Sequence, residues 1–220
     1  MGMTHLISGL GLNRRVFEGL GLPPDRFRWA DLLPAERNES MARYALRTAD
    51  SLGLKPGDAV GGVSLGGMLG LEIARQCGAS RVILLSSCTH PRFIRPFFRA
   101  AGRLSSGTPK PILRFVFRNI PLYLRFRGMH NPRNAAFLQE VMGAFPPEQL
   151  QRLPRMLLDW EGCEPTVPCF ALHSEEDWLI RPPLHLPGLT RVPGRAHLIS
   201  MTQPQTARDF LLSHASTGSA

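Results

Sequence analysis

A serine with a glycine two residues to either side lies in the first third of the chain, in the segment Gly62 to Gly66. The pattern G-x-S-x-G between a strand and a helix is typical of a nucleophilic serine, here Ser64. The sharp turn brings backbones close together, which requires glycine, and it lifts the hydroxyl above the sheet. It also directs the N-terminus of the next helix at the reacting carbonyl. The alternative is an ordinary glycine-rich turn. The catalytic interpretation therefore needs a base and an acid elsewhere in the chain.

A histidine near the C-terminal end is placed to act as the base. A serine hydroxyl is a weak nucleophile at neutral pH and needs a base within hydrogen-bond reach. His197 follows the last predicted strand and precedes the last predicted helix, so we expect it over the strand ends, where the serine also lies. His173 and His185 are alternatives because both lie near an acidic cluster.

Three consecutive carboxylates follow the penultimate predicted strand, namely Glu175, Glu176 and Asp177. An acid fixes the tautomer of a catalytic histidine and stabilises its imidazolium form. We favour Asp177 because the apolar residues 178–180 would tuck it against the protein, whereas the two glutamates fit a solvated loop. The serine, the acid and the histidine then occur in one of the orders known for such triads.

Two backbone N–H groups are predicted to stabilise the oxyanion that forms during acyl transfer. Leu65 directly follows the serine and supplies one of them. Leu10, in the glycine-rich turn after the first predicted strand, supplies the other. Both assignments follow from position alone, because a backbone donor needs no particular side chain.

The elements that position these residues alternate between short apolar runs and helical stretches. Strands are predicted over residues 4–10, 27–32, 59–63, 81–86, 166–173 and 189–192. Helices are predicted over residues 39–52, 65–77 and 203–212. This alternation predicts an α/β fold, with about six mostly parallel strands and helices on both faces of the sheet.

The strand pattern stops between residues 91 and 160, where Arg, Phe, Leu and Pro dominate. We interpret this segment as several short helices that form a lid. The predicted organisation is therefore a first part of the core over residues 1–90, a helical lid over 91–160 and a second part of the core over 161–220.

The composition is that of an ordinary globular protein, with 43% hydrophobic and 20% charged residues among 220. We see no apolar run long enough to cross a membrane and no secretory leader, which favours a cytoplasmic protein.

The scattered cysteines argue against a structural zinc site and favour free thiols, with two disulfides as the alternative. No metal and no cofactor are expected. The cysteines are Cys77, Cys88, Cys163 and Cys169.

The net charge of +9 comes from one segment of the chain. Between His90 and Gln139 there are ten basic residues and no Asp or Glu, whereas the other 16 basic residues are balanced by 17 acidic ones. Such charge attracts an acidic carrier protein, a phosphopantetheine arm or an anionic membrane surface, unless it is simply a solvated helix face. Nucleic acid is not expected, since no binding motif accompanies the charge. The ten are Arg92, Arg95, Arg99, Arg103, Lys110, Arg114, Arg118, Arg125, Arg127 and Arg133.

These motifs resemble those of the α/β-hydrolase superfamily, and within it the pimeloyl-acyl carrier protein methyl ester carboxylesterases of biotin synthesis. The segment 8–13 resembles that family's His-Gly-Trp-Gly-Leu-Asn turn, and 62–67 resembles its Gly-Trp-Ser-Leu-Gly-Gly elbow. Ala196-His197 with Pro204 resembles its Ala-His and following proline. The likeness covers both core parts of the chain and not the lid.

The resemblance implies the α/β-hydrolase fold and a serine carboxylesterase that acts through an acyl-enzyme, without a cofactor. It also implies a small acyl ester as substrate, delivered by an acidic acyl carrier protein, for which Arg114, Arg118 and Arg125 are the candidate docking residues. Leu10 and Val63 replace two tryptophans of the family pattern, which changes the shape of the pocket and leaves the substrate open. The alternatives are an acyl thioesterase, a general esterase or lipase, and a non-enzymatic binding protein with this fold.

Overall fold

A single parallel sheet forms the centre of the molecule. The computed structural model describes the backbone of residues 2–125 and 131–215, and the side chains of residues 2–122 and 131–215. Its strands are β1 Thr4–Ile7, β2 Phe27–Ala30, β3 Ala59–Val63, β4 Arg81–Leu85, β5 Cys169–Ser174 and β6 Leu189–Val192. They pair in the order β2-β1-β3-β4-β5-β6, and every neighbouring pair is parallel. The predicted six-stranded α/β fold is confirmed.

Helices cover both faces of this sheet. They are α1 Met41–Leu52, α2 Leu65–Cys77, α3 Pro96–Ser105, α4 Lys110–Arg125, α5 Pro132–Ala144, α6 Pro147–Leu158, α7 Ile199–Thr202 and α8 Pro204–His214. Two 3-10 segments, Arg14–Leu20 and Pro91–Phe93, complete the elements of the residues that the structure describes. The α1 helix begins at a serine cap, where the Ser40 side chain accepts a hydrogen bond from the Arg43 N–H, and it ends at Gly53 in the left-handed conformation.

Alternation along the strands divides the core into two layers. In β4, Val82 and Leu84 pack into the cluster that contains α1 and α2. Ile83 and Leu85 face the other side and pack with α8 and the first 3-10 segment. Neighbouring residues of a strand point to opposite faces, so this buried strand is apolar throughout.

The strand order places a crevice at the carboxyl ends of β1 and β3. The chain leaves β1 toward β2 on one side, and the next strand, β3, pairs with β1 on the other side. Ligands of open α/β sheets bind where the order reverses in this way. The glycine-rich turn after β1 and the predicted nucleophile after β3 both lie at this edge.

Four helices, α3 to α6, occupy the chain between β4 and β5. Within this group, α3 and α4 both pack on α6, and α4 also packs on α5. None of the helices in the described ranges combines the length and apolar character needed to span a membrane. All four cysteines are free; Cys88 and Cys163 are buried, whereas Cys77 and Cys169 are half-buried.

A buried carboxylate ties the starts of β1 and β3 together. Asp58 accepts hydrogen bonds from the backbone N–H groups of Met3 at 2.7 Å and Lys55 at 3.0 Å, and His5 Nε2 lies 3.1 Å away. Burial by itself raises the pKa of Asp58, but these hydrogen bonds outweigh it and lower the pKa below its ordinary value. Ionised Asp58 therefore stabilises the fold above the pKa of the unfolded state, and this contribution is lost as the pH falls through the folded-state pKa.

We expect Asp58→Ala to lower the free energy of unfolding by about 3 kcal/mol at pH 7, because it leaves the buried His5 ring and two backbone N–H groups without their shared acceptor. Urea unfolding measures the change, and the difference from the native chain should shrink as the pH falls below 4. The exposed Asp25→Ala serves as control and should change stability by less than about 0.5 kcal/mol. Equal stability of the two variants at pH 7 would contradict this role.

Candidate active site

Ser64 occupies a strained turn between β3 and α2. Its backbone has φ 54° and ψ −118°, a conformation that residues other than glycine rarely adopt. Hydrogen bonds hold the turn: the Ser64 N–H donates to the Leu85 carbonyl at 2.9 Å, and the Ser87 hydroxyl donates to the Ser64 carbonyl at 2.6 Å. Strain of this kind persists only where the surroundings impose it, and it is concentrated at functional sites.

The glycines on either side of the serine fit a space that no side chain can enter. A Cβ atom on Gly62 or on Gly66 would lie 2.1 Å from the Ile7 carbonyl oxygen in β1. A Cβ atom on Gly9 would lie 3.3 Å from Cβ of Ser64, so the turn after β1 rests against the serine. Close approach of β1 to the end of β3 and to the start of α2 thus explains the glycine spacing.

His197 and Asp177 form a buried pair, and His197 lines the same cavity as Ser64. His197 Nδ1 lies 2.8 Å from Asp177 Oδ2, and both side chains are shielded from solvent. The other carboxylate oxygen, Oδ1, accepts hydrogen bonds from the N–H groups of Leu179 at 2.8 Å and Ile180 at 3.1 Å. A carboxylate at Nδ1 places the ring proton there, which leaves the Nε2 lone pair free to accept a proton.

The aspartate is ionised despite its burial. Burial by itself raises the pKa of Asp177, but the charge and hydrogen bonds of His197 and His173 outweigh it and hold the pKa well below its ordinary value. Glu175 and Glu176, the neighbouring carboxylates, are exposed. The acidic cluster therefore presents one buried anion to the histidine.

A second histidine contacts the same carboxylate, and sequence reasoning missed this role. His173 is fully buried in β5, and its Nε2 lies 3.1 Å from both Asp177 Oδ2 and the Ile180 carbonyl oxygen. Both neighbours are acceptors, so Nε2 carries the proton and His173 donates to them. His173 and His197 therefore contact the same oxygen of Asp177, and the His173 N–H reduces the negative charge that this oxygen presents to His197.

We expect His173→Leu to lower kcat/KM by about tenfold, because Asp177 loses one of the two histidines that hold its carboxylate. The His173 contact also helps to lower the pKa of Asp177, so the variant should lose stability at a higher pH than the native chain as the solution is acidified. His173→Gln retains an N–H donor at a similar position and should restore most of both properties. A native rate together with a native acid-unfolding curve in His173→Leu would contradict the positioning role.

Arg95, which lies in the segment between β4 and β5, also holds the loop that contains Asp177. Both Nε and Nη2 of Arg95 donate to the Asp177 carbonyl, at 3.0 and 2.8 Å. Arg95 is one of the ten basic residues whose charge was expected to attract a partner, but its side chain is committed to this loop instead. Lys110 is also paired, with Glu148 at 2.5 Å.

The two predicted oxyanion donors lie on the wall of one cavity. Leu65 is the first residue of α2, where a backbone N–H has no partner within its own helix. Leu10 belongs to the turn that rests against Ser64, and both leucines line the cavity that Ser64 and His197 also line. The two leucines, Ser64 and His197 therefore border a common space.

That cavity is apolar and measures about 320 Å³. Helices α3, α4 and α6 supply much of its wall, including Phe98, Leu113 and Leu157. Among the described residues that line it, none carries a charged side chain other than the titratable His197. Such a lining suits the hydrocarbon part of a ligand and leaves polar chemistry to the end near Ser64.

A match to the alpha/beta hydrolase family spans residues 7–209 of the chain. The chain belongs to the alpha/beta hydrolase family. This membership agrees with the parallel sheet and with the turn that carries Ser64. No curated protein sequence matches this alpha/beta hydrolase.

Solved structures of other proteins are similar to this alpha/beta hydrolase over nearly the whole chain. A thermophilic esterase from Thermogutta terrifontis is 19% identical with a TM-score of 0.73, over 97% of this chain and 90% of the other. An esterase from Exiguobacterium antarcticum is 15% identical with a TM-score of 0.72, over 98% and 92%. An enol-lactonase from Burkholderia xenovorans is 14% identical with a TM-score of 0.71, over 97% and 91%. At these identities the likeness shows the fold.

The predicted docking arginines of this alpha/beta hydrolase lie on α4. Arg114 and Arg118 are exposed and border a shallow depression with Glu140 of α5, which itself pairs with Arg15 at 2.6 Å. The side chain of Arg125 lies outside the described residues. The two described arginines face away from the apolar cavity, whose wall on α4 is formed by other residues.

The alternative histidine His185 lies apart from the serine. Its ring stacks on Phe93 with centroids 5.3 Å apart, and Nε2 lies 3.1 Å from the Thr89 hydroxyl. It lines a surface depression with Arg92 and Arg181 rather than the cavity of Ser64. Of the three histidines considered as the base, His197 is the one that lines the cavity with the serine.

Proposed function

We propose that this alpha/beta hydrolase is a serine carboxylesterase, with Ser64 as nucleophile, His197 as base and Asp177 as the acid that orients the base. The observation that carries the proposal is the buried 2.8 Å contact between His197 Nδ1 and Asp177 Oδ2, together with a cavity that both His197 and Ser64 line. A base held by an ionised acid beside a strained serine is the arrangement that acyl transfer needs.

In the proposed reaction, Ser64 Oγ attacks the acyl carbon and its proton passes to His197 Nε2. The N–H groups of Leu10 and Leu65 stabilise the oxyanion of the tetrahedral intermediate. As the intermediate collapses, the ester C–O bond breaks and the alcohol leaves with the proton from His197. Water then attacks the acyl-enzyme, with His197 again as base, and the carboxylic acid is released.

The cavity supports an apolar acyl group as the part of the substrate that is buried. Its described lining is almost entirely hydrocarbon, and its volume of about 320 Å³ is that of a small-molecule site. The similar structures named above include two esterases and a lactonase, and a lactone is a cyclic ester. These neighbours support ester chemistry for the present chain as well.

Turnover of p-nitrophenyl esters from acetate to laurate tests this proposal, with Ser64→Ala as the blank. We expect hydrolysis of apolar acyl esters well above the blank, and slower hydrolysis of esters with a charged acyl end, since burying a charge in an apolar cavity is costly. Matched acyl thioesters in the same series distinguish a thioesterase. No turnover of any ester above the blank would contradict the proposal.

A second, more specific candidate is the methyl ester of pimeloyl-acyl carrier protein in biotin synthesis. The exposed arginines Arg114 and Arg118 favour it, because among described residues neither has a carboxylate within ion-pair distance. Together with the motif resemblance, they support docking of an acidic carrier. The cytoplasmic location expected from the sequence stays a prediction.

Carrier delivery is tested by comparing the carrier-linked pimeloyl methyl ester with free dimethyl pimelate, which has no charged end. Docking predicts a higher kcat/KM for the carrier-linked form, a loss of that advantage at high salt, and the same loss in the variant Arg114→Glu, Arg118→Glu, Arg125→Glu. The exposed Arg37→Glu is the matched charge-reversal control. Equal turnover of the two esters would exclude carrier delivery and leave the esterase proposal intact.

A further inference from the structure

Two of the four helices between β4 and β5, α3 and α4, carry an unusual amount of exposed apolar surface. Six of the eight large hydrophobic side chains that are exposed in the described residues lie on α3 and α4, with exposed fractions between 52% and 74%. Soluble proteins rarely leave such residues clustered in water unless they serve binding. The six are Phe97, Leu104, Ile112, Phe115, Val116 and Leu122.

The residues of α4 fall on three distinct faces. One face lines the cavity with Leu113, Phe117 and Ile120. A second face, with Ile112, Phe115, Val116 and Leu122, is exposed and apolar. A third, with Arg114 and Arg118, is exposed and basic. At 100° per residue the three faces are spaced roughly evenly around the helix, so the part of α4 that points away from the cavity carries both an apolar face and a basic face.

The same division recurs on α3. Phe98 and Gly102 line the cavity, Phe97 and Leu104 are exposed seven residues apart on another face, and Arg103 lies on a third face with Arg99 four residues before it. Two helices that both line the cavity therefore repeat one arrangement. This repetition is not expected of helices that merely cover a core.

The exposed apolar surface is continuous with the cavity. Val116 is 52% exposed and also lines the cavity, and Ala101 on α3 is likewise exposed and part of the cavity wall. A molecule bound to the outer face of these helices would meet the opening that leads to Ser64. The surface is thus placed to receive a source of apolar ligands.

We propose that α3 and α4 dock this protein on an anionic lipid surface. The docking face consists of Phe97, Leu104, Ile112, Phe115, Val116 and Leu122 with the flanking arginines Arg99, Arg103, Arg114 and Arg118. Apolar side chains enter the boundary of the acyl layer while flanking arginines contact anionic headgroups, as in interfacial amphipathic helices. An acidic carrier protein accounts for the arginines alone, whereas a lipid surface accounts for both sets of residues. Docking does not depend on the esterase chemistry.

Sedimentation of the full chain with vesicles tests the proposal. One vesicle population contains phosphatidylcholine alone, and the other contains phosphatidylcholine and phosphatidylglycerol in equal amounts. We expect the chain to sediment with the anionic vesicles and to be released at high salt, and to bind the neutral vesicles much more weakly. Replacing the arginines by glutamine should weaken anionic binding about fivefold for each residue replaced.

The apolar contribution is tested by a triple variant that combines Phe97→Gln, Leu104→Gln and Phe115→Gln. None of these three side chains lines the cavity. We expect vesicle binding to fall by more than about tenfold in this variant, because each side chain loses its burial in the acyl layer. Leu46→Gln, an exposed leucine on α1, is the control and should bind as the native chain does. Thermal unfolding by circular dichroism verifies that all variants fold.

Two results would overturn the proposal. One is the absence of sedimentation with anionic vesicles, including the case in which an acidic acyl carrier protein binds instead. The other is unchanged vesicle binding in the triple glutamine variant, which would reduce the effect to general charge attraction. Because sedimentation requires no turnover, a failure here is separate from a failure of the esterase proposal.

Discussion

Ser64→Ala is expected to lower kcat for ester hydrolysis by at least about a thousandfold. Without the hydroxyl no acyl-enzyme forms, and only the oxyanion donors and the cavity remain to assist direct attack by water. The backbone at this position has φ 54°, which alanine tolerates no better than serine, so we expect a small loss of stability and no change of fold.

The measurement is steady-state hydrolysis of the best p-nitrophenyl ester, with thermal unfolding to show that the variant is folded. Ser106→Ala is the matched control, because that hydroxyl is exposed at the end of α3 and donates to the Arg103 carbonyl. It should retain the native rate. A folded Ser64→Ala with near-native activity would end the assignment of the nucleophile.

Asp177→Asn is expected to lower kcat by about ten thousandfold, although it changes only one atom of the side chain. Oδ1 accepts two backbone N–H groups, from Leu179 and Ile180, so the amide oxygen of asparagine takes that position. The amide nitrogen then replaces Oδ2 and donates to His197 Nδ1. The ring proton is forced onto Nε2, where it blocks proton transfer from the serine.

The same substitution also affects stability, because the new amide N–H groups face the His173 Nε2 donor as well. We expect a loss of about 2 kcal/mol in the free energy of unfolding, since buried donors face one another. Glu176→Gln is the control, because this neighbouring carboxylate is exposed and its ion pair with Arg195 lies at the surface. Activity of folded Asp177→Asn within tenfold of native would contradict the orienting role.

Local patterns in the sequence were sufficient to predict much of the fold. The apolar runs that became β3 and β4 are buried on both faces, which is why they are apolar throughout, and their alternation with helical stretches was sufficient to predict a parallel sheet. The glycine spacing around Ser64 reflects contact with β1, a constraint strong enough to leave a sequence pattern. The first strand ends at Ile7, three residues earlier than predicted, because the chain turns at once toward the serine.

Contacts between distant segments are what the sequence did not reveal. His173 was considered as a base, but its position in β5 turns it toward Asp177 rather than toward the cavity. Arg95 has the same local pattern as the surface arginines and is distinguished only by a hydrogen bond to a loop 82 residues away. Ser87 supports the serine turn through a hydrogen bond from a neighbouring strand end, with no motif to mark it.

The most direct test of the central claim is the reaction of the native chain with a fluorophosphonate, followed by mass spectrometry of its peptides. Our account predicts a single adduct on Ser64, none in Ser64→Ala, and a greatly slowed reaction in Asp177→Asn, because the reagent requires an activated serine. A folded native chain that forms no adduct, or one labelled on another serine such as Ser105 of the cavity wall, would contradict it.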